Sequence, residues 1–128
     1  MTVYLEPEDA IAAADHLGFH IRDEGLLFSA LARPAASAFG VDAYPELERK
    51  AAALMHSLAR NHPLFDGNKR FAWYLTLAFL RLNEQRLVMP TDTAFDLVLG
   101  IARGDLELDV AAAIIREHLV PRGAPSSP

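Results

Sequence analysis

A run of ten residues, FAWYLTLAFL at positions 71–80, limits the folds open to this chain. As a helix it would be apolar on nearly every face, and such a helix is normally buried in the centre of a bundle. It is much shorter than the roughly 18–20 residues that a membrane-spanning helix needs. We therefore expect a helical domain with this segment as its central helix, and no association with a membrane.

Helical periods recur along the rest of the chain, whereas strictly alternating stretches are scarce. The predicted helices cover about residues 6–17, 23–33, 45–61, 67–83, 91–104 and 105–119. Thr91 or Asp92 is the expected cap of the fifth helix. Residues 35–45 are interpreted as a loop, and a strand at residues 86–90 is only weakly supported. The chain is thus predicted to be all-α: a compact single domain of about six helices over residues 1–120, with a disordered tail at residues 121–128.

The composition excludes several classes of site. The chain has 128 residues and no cysteine, which rules out disulfides, thiolate metal sites and cysteine nucleophiles and suits a reducing cytosol. A formal net charge of -5 disfavours a general nucleic-acid binder, which is usually basic. The first residues, MTVYLEPEDA, are acidic and lack the apolar segment of a secretory signal. We expect a cytoplasmic protein without direct DNA binding.

Two adjacent cations, Lys69 and Arg70, stand where the helix predicted for residues 67–83 begins. The partial positive charge of a helix N-terminus makes each cation unfavourable there by roughly 0.3–1 kcal/mol. An arriving anion reverses that balance, because free backbone amides and both side chains can converge on a phosphate. Gly67 would let the backbone approach it, and Asn68 could orient the phosphate or the loop. These four residues are the predicted phosphate site.

His62 and Asp66 precede this site in the stretch NHPLFDGNK. Pro63 disfavours the helical conformation for His62, so the preceding helix should end near Asn61. A loop imidazole beside a phosphate is a candidate general base. Asp66 is a candidate helix cap and a hard oxygen ligand for Mg²⁺, which typically binds one carboxylate plus phosphate oxygens. Together these residues predict phosphoryl or nucleotidyl transfer, in which positioning and charge stabilisation dominate.

Each of these residues also has a purely structural interpretation. His62 and Asp66 could form a loop-capping pair, the two cations could be solvated, and Asn68 could be a turn residue. The aromatic residues of the neighbouring helix lie at spacings that fill a core, so no adenine-binding role is expected of them: Phe71, Trp73, Tyr74 and Phe79.

The stretch HPLFDGNKR resembles the signature of the Fic/Doc superfamily, His-x-Phe-x-Asp/Glu-x-Asn-Gly/Lys-Arg. Lys69, where other members have Gly, is similar to the Doc branch, the death-on-curing toxins of toxin–antitoxin modules. Three flanking segments are similar to Doc-family segments in the same order: IRDEGLLFSALARP, YPELERKAAALMHSLARNHP and FLRLNEQRL. The resemblance covers about residues 4–119.

This resemblance implies a compact all-α Fic/Doc fold. It implies a kinase that moves the γ-phosphate of ATP onto a threonine of elongation factor Tu and blocks translation. His62 would be the base, Asp66 the Mg²⁺ ligand, and Asn68, Lys69 and Arg70 the phosphate-binding group. It also implies a Phd-type antitoxin as the partner.

Two departures from the family pattern leave alternatives open. Leu64 replaces the motif Phe, which makes a catalytically inactive partner-binding module the third hypothesis. Trp73 stands where AMP-transferring Fic proteins have a second Arg, which disfavours the second hypothesis, a Fic-type AMP transferase acting on a protein hydroxyl. His20 lies four residues before Glu24, so the inhibitory Ser/Thr-x-x-x-Glu-Gly segment of some Fic proteins is absent and inhibition in trans is expected.

Overall fold

Six α-helices account for most of the chain, as the sequence predicts. The computed structural model describes residues 1–125. The helices are α1 (Pro7–Leu17), α2 (Glu24–Ala32), α3 (Leu47–Asn61), α4 (Asn68–Leu82), α5 (Thr91–Arg103) and α6 (Leu108–Glu117). A 3₁₀ turn at Arg33–Ala35 follows α2. No helix within residues 1–125 is long and apolar enough to cross a membrane.

The central helix is α3, whereas the sequence placed α4 at the centre. Nine of the 15 residues of α3 are buried, and it packs against α2, α4, α5 and α6. Three consecutive buried alanines, residues 51–53, allow these neighbours to approach closely. In α4, Phe71 and Phe79 are buried in the core, but Tyr74 is 44 % exposed. The apolar run of α4 therefore has one face open to solvent.

The predicted cap of α5 is wrong, and several helix boundaries differ from the sequence prediction by one to three residues. The N-cap of α5 is Pro90, and neither Thr91 nor Asp92 caps the helix, since both are helical themselves. The last helix begins at Leu108 rather than near Asp105. The residues between α5 and α6 cap the C-terminal end of α5, because the N–H groups of Asp105 and Leu106 both donate to the Gly100 carbonyl, at 2.8 and 3.1 Å.

A small hairpin occupies the segment that the sequence suggested was a loop. Strand β1 (Ser37–Ala38) pairs antiparallel with β2 (Val41–Asp42). Its tip, Phe39 and Gly40, has positive φ at both residues, 53° and 77°, as a two-residue hairpin turn of the primed type requires. The Phe39 side chain is fully exposed.

Buried Lys50 anchors this hairpin. Its Nζ donates to the Pro34 carbonyl and contacts a carboxylate oxygen of Asp42, both at 3.2 Å. Burial alone would lower the pKa of Lys50, but its interactions with Tyr4 and Asp42 outweigh burial and raise the pKa above the usual 10.5. The ammonium therefore stays charged and holds β2 against α3.

A second strand pair lies near the C-terminus. Strand β3 (Gln85–Leu87), at the weakly predicted strand, pairs antiparallel with β4 (Leu119–Pro121). The Arg122 N–H donates to the Glu84 carbonyl at 3.0 Å, and Arg86 Nη2 donates to the Ala124 carbonyl at 2.6 Å. The described part of the predicted tail thus makes hydrogen bonds, and residues 126–128 lie outside the described residues.

A polar network at the base of the hairpin is centred on Arg33. Its guanidinium donates to Tyr44 Oη at 3.0 Å, Ser57 Oγ at 3.0 Å and His56 Nδ1 at 2.8 Å. Since arginine can only donate, His56 Nδ1 must be an acceptor, which requires the neutral imidazole. Burial, together with the positive charges of Arg33 and Arg60, lowers the pKa of His56 below 6.5.

This network makes stability depend on pH. Below pH 6.5, the ordinary pKa of a histidine side chain, the unfolded chain binds a proton at His56 that the folded protein does not. The free energy of unfolding should therefore fall as the pH drops from about 7.5 to about 5.5. In urea titrations, His56→Gln should reduce that fall, whereas His16→Gln, at an exposed position, should preserve it. An unchanged pH dependence in His56→Gln would exclude His56 as the source.

Candidate functional site

His62 stands immediately after the end of α3. The helix ends at Asn61, as Pro63 predicted, and His62 adopts a left-handed conformation with φ 53° and ψ 60°. Its side chain is exposed. The imidazole is thus carried by the residue that ends the central helix, where the loop to α4 begins.

The loop from His62 to Gly67 is anchored at Leu64. This side chain, which stands where the motif has Phe, is 1 % exposed and lies in the hydrophobic core. Leu64 forms an isolated β-bridge with Ile21, and the next N–H, of Phe65, donates to the His20 carbonyl at 3.0 Å. The loop is therefore attached to the segment between α1 and α2.

Asn68 fixes the same loop from the other side. Its Oδ1 accepts from the Leu64 N–H at 2.9 Å, and its Nδ2 donates to the Leu64 carbonyl at 3.0 Å. The side-chain amide therefore bonds both backbone groups of one residue. This corresponds to the loop-orienting role considered for Asn68, and the phosphate-binding role stays a prediction.

Helix α4 starts without a side-chain cap. Its N-cap is Gly67, with φ 81°, and within residues 1–125 no side chain caps the helix. The prediction that Asp66 is the N-cap is therefore wrong: its Oδ1 accepts from the adjacent Gly67 N–H at 2.9 Å, outside the helix. Gly67 is required by its positive φ, and also because an added Cβ would overlap the Phe19 ring.

All six predicted site residues line one cavity of about 340 Å³: His62, Asp66, Gly67, Asn68, Lys69 and Arg70. The loop of residues 62–67, which joins the end of α3 to α4, and the first turn of α4 bring them together. Neither Lys69 nor Arg70 forms a salt bridge with any carboxylate among residues 1–125. The Arg70 guanidinium lies over the Phe19 ring, 5.3 Å from its centroid. The cavity therefore combines two unpaired cations with an uncapped helix N-terminus, an arrangement suited to an anion.

Asp66 is the carboxylate of this cavity. Oδ1 bonds Gly67, and Oδ2 makes no hydrogen bond to any described residue. Residues 1–125 contain no group of three or more His, Asp or Glu side chains arranged to hold a metal ion. A single free carboxylate oxygen fits Mg²⁺ only when phosphate oxygens and water complete the shell, which is the usual arrangement for this ion.

A second, apolar cavity of about 320 Å³ adjoins the first, between α4 and α5, and shares Lys69 and Arg70 with it. Trp73, Tyr74 and Phe95 contribute aromatic surface to its lining. Of the four aromatics assigned to the core from sequence, only Phe71 and Phe79 are buried, whereas Trp73 is half-buried and Tyr74 is exposed. An aromatic recess therefore lies between α4 and α5, beside the two cations.

Sequence similarity relates the chain to a known protein family. A model of the Fic/DOC family matches residues 4–80 of the 128, which is more than half of the chain. The chain belongs to the Fic/Doc family. The Fic/Doc chain is also 49 % identical over 119 residues to the protein named Toxin Doc of Mycolicibacterium smegmatis (strain ATCC 700084 / mc(2)155), covering 88 % of this chain and 91 % of that relative. The six predicted site residues that line the cavity all lie within the matched range, residues 4–80.

Sequence reasoning missed two residues that shape this Fic/Doc site. Phe19 packs against Gly67 and lies under Arg70. Arg22 donates to the backbone of His62. The only signal for Arg22 in the sequence was its position in IRDEGLLFSALARP, which resembles a Doc-family segment. The residue that it contacts, His62, lies 40 positions further along the chain.

Proposed function

We propose that this chain is a Doc-type toxin of a toxin–antitoxin module that transfers the γ-phosphate of ATP to a threonine of elongation factor Tu. The observation that carries the proposal is the single cavity in which His62, Asp66 and two unpaired cations meet. The similarity to a protein named Toxin Doc supports the toxin role. Such a toxin would act in the cytoplasm, where the elongation factor works.

The roles of the residues follow from their chemistry. The threonine oxygen forms the new bond to the γ-phosphorus, the bond to the β,γ-bridging oxygen breaks, and ADP leaves. His62 accepts the proton of the hydroxyl. Lys69, Arg70 and the free amides of α4 stabilise the charge on the transferred group. Asp66 would hold Mg²⁺, which neutralises phosphate charge when bound.

The aromatic recess supports a nucleotide as the phosphate donor. It opens beside the same two cations that would hold the phosphates, and its volume falls at the lower end of the range of small-molecule sites, ~300–1,000 Å³. Apolar walls with aromatic rings suit a purine base, since every base has a face that can stack. We assign the recess to the adenine, although the sequence interpretation gave Trp73 and Tyr74 no adenine-binding role. Trp73 packs partly against the core, as the sequence suggested, and also lines the recess together with the exposed Tyr74.

Truncating Phe95 tests this assignment at low cost to the fold. Phe95 is 61 % exposed on α5 and lines the recess, so Phe95→Ala should raise the KM for ATP about tenfold through lost stacking and leave kcat unchanged. Phe28→Ala is the matched control, because Phe28 is 37 % exposed on α2 and does not line the recess. Equal KM values in both variants would place the base elsewhere.

Label transfer distinguishes the candidate reactions. The protein is mixed with Mg²⁺ and elongation factor Tu, and ATP is labelled at the γ-phosphate in one reaction and at the α-phosphate in the other. Label from γ alone supports the kinase. Label from α alone would make the protein an AMP transferase in spite of Lys69 and Trp73. No label from either, with a folded protein, would leave another acceptor or the inactive binding module, and Leu64→Phe would be the first variant to compare.

The proposed partner is a Phd-type antitoxin that inhibits in trans. A toxin needs an inhibitor, and His20 stands where a built-in inhibitory segment would begin with Ser or Thr. Co-expression with a gene for such an antitoxin should restore growth to cells that produce the toxin. Growth arrest that persists in the presence of bound antitoxin would contradict this part of the proposal.

A further inference from the structure

Arg22 binds the backbone at the position of the proposed base. It lies in the segment between α1 and α2. Its Nε and Nη2 both donate to the His62 carbonyl, at 3.0 and 2.6 Å, and Nη2 also reaches the Asn61 carbonyl at 3.4 Å. Two donors of one planar guanidinium thus converge on a single carbonyl oxygen.

The backbone around His62 is held on its other side as well. The N–H groups of Arg22 and Asp23 both donate to the Pro63 carbonyl, at 2.7 and 3.0 Å. Consecutive carbonyls, of His62 and Pro63, are therefore bound by one short segment. This fixes the peptide plane on either side of Pro63.

The conformation of His62 needs such support. A φ of 53° is unfavourable for a residue with a side chain, and helices that end in this conformation usually place Gly there. Compared with Gly, His at this position has a less favourable backbone conformation but supplies an imidazole. The structure therefore maintains a strained residue at the point where the side chain faces the cavity.

A simpler role for Arg22 is to cap the carboxyl end of α3, where a cation is favourable. Any cation could fill that role, since it requires charge near the last carbonyls and no particular direction. Two hydrogen bonds to one oxygen have an effect that charge alone does not have. They fix the orientation of the His62 peptide and hence the direction of the bond from Cα to Cβ.

We propose that Arg22 is a positioning residue that orients the His62 imidazole toward the cavity. The proposal rests on the proposed function of His62 as the base. Arg22 acts through the His62 backbone and does not touch the reacting atoms. Its planar pair of donors, which lysine lacks, is the feature that matters.

Three variants separate positioning from stability. Arg22→Gln removes the charge and the paired donors, and Arg22→Lys keeps the charge alone. Arg33→Gln is the matched control, because Arg33 also donates to an α3 carbonyl, that of Ala53 at 3.4 Å, without contacting His62. The readouts are the free energy of unfolding in urea, kcat and KM for ATP in phosphate transfer, and the φ-dependent amide coupling and ring chemical shifts of His62 by NMR.

We expect Arg22→Gln to lower kcat by about tenfold to a hundredfold, with KM for ATP within about twofold of wild type. Arg22→Lys should recover the stability but not kcat, and Arg33→Gln should lose stability with kcat unchanged. Full recovery of kcat in Arg22→Lys would reduce Arg22 to a helix cap and overturn the proposal.

The NMR measurement tests the orientation of His62 even if the protein transfers no phosphate. If the wild-type protein transfers no phosphate, the proposed function fails, yet the coupling and ring shifts of His62 still report its orientation. A change in both for Arg22→Gln, absent from Arg33→Gln, supports positioning. His62 signals identical to wild type in folded Arg22→Gln would overturn it.

Discussion

The variant His62→Ala should transfer phosphate roughly 10²–10⁴ times more slowly than the wild type, the usual cost of losing a general base. The residue is exposed and follows the end of α3, so truncation removes no core contact. Alanine also retains the backbone carbonyl that Arg22 binds. Folding and antitoxin binding should therefore persist, and cells should tolerate the variant. Initial rates with γ-labelled ATP give the measurement.

His16→Ala controls for the loss of an exposed imidazole elsewhere, since His16 lies on the last turn of α1 and lines no part of the cavity. It should retain the wild-type rate. A well-folded His62→Ala variant that transfers phosphate or arrests growth as the wild type does would remove His62 from the mechanism.

The second large effect is expected at Arg70. Replacing it by Gln removes one of the two unpaired cations of the cavity, and loss of one such stabilising group typically lowers kcat by about 10²–10³-fold. The Phe19 ring beneath the guanidinium stays in place, so the local packing is largely preserved. Arg70→Lys keeps the charge but loses the planar pair of donors. Its rate should therefore lie between that of the wild type and that of Arg70→Gln.

Arg81→Gln is the matched control on the same helix, because Arg81 lies in the last turn of α4 and does not line the cavity. Steady-state kinetics of the three variants, at one ionic strength, give the comparison. An Arg70→Gln rate equal to that of Arg81→Gln would show that the phosphate is held elsewhere.

The motif residues could be predicted to meet because they are close in sequence. The span from His62 to Arg70 contains one helix end, one loop and one helix start, and local rules predict all three. Pro63 correctly predicted where α3 ends. The predicted N-cap of α4 was wrong because Asp66 and Gly67 both suit a helix start. The sequence does not show that the Phe19 ring packs against Gly67, where only glycine fits.

What could not be predicted depends on contacts between distant segments. The central position of α3 was hidden because this helix carries charged residues that suggest a surface location, although Lys50 is buried beneath the hairpin. The roles of Trp73 and Tyr74 depended on how α5 docks against α4. The bond between Arg22 and His62 joins residues 40 positions apart, which no local pattern reports.

The hydrogen bonds between residues 20–23 and 61–65 join segments about 40 positions apart in the sequence, so the geometry of the site is non-local. Contacts at such separation carry a loop-closure cost that contacts between neighbouring residues do not. A fragment that begins after α2 would carry every motif residue and both helices that present them, yet lack the segment that holds the loop. Removal of the chain before α2 would therefore leave the motif intact but delete the hydrogen bonds that residues 20–23 make to its loop.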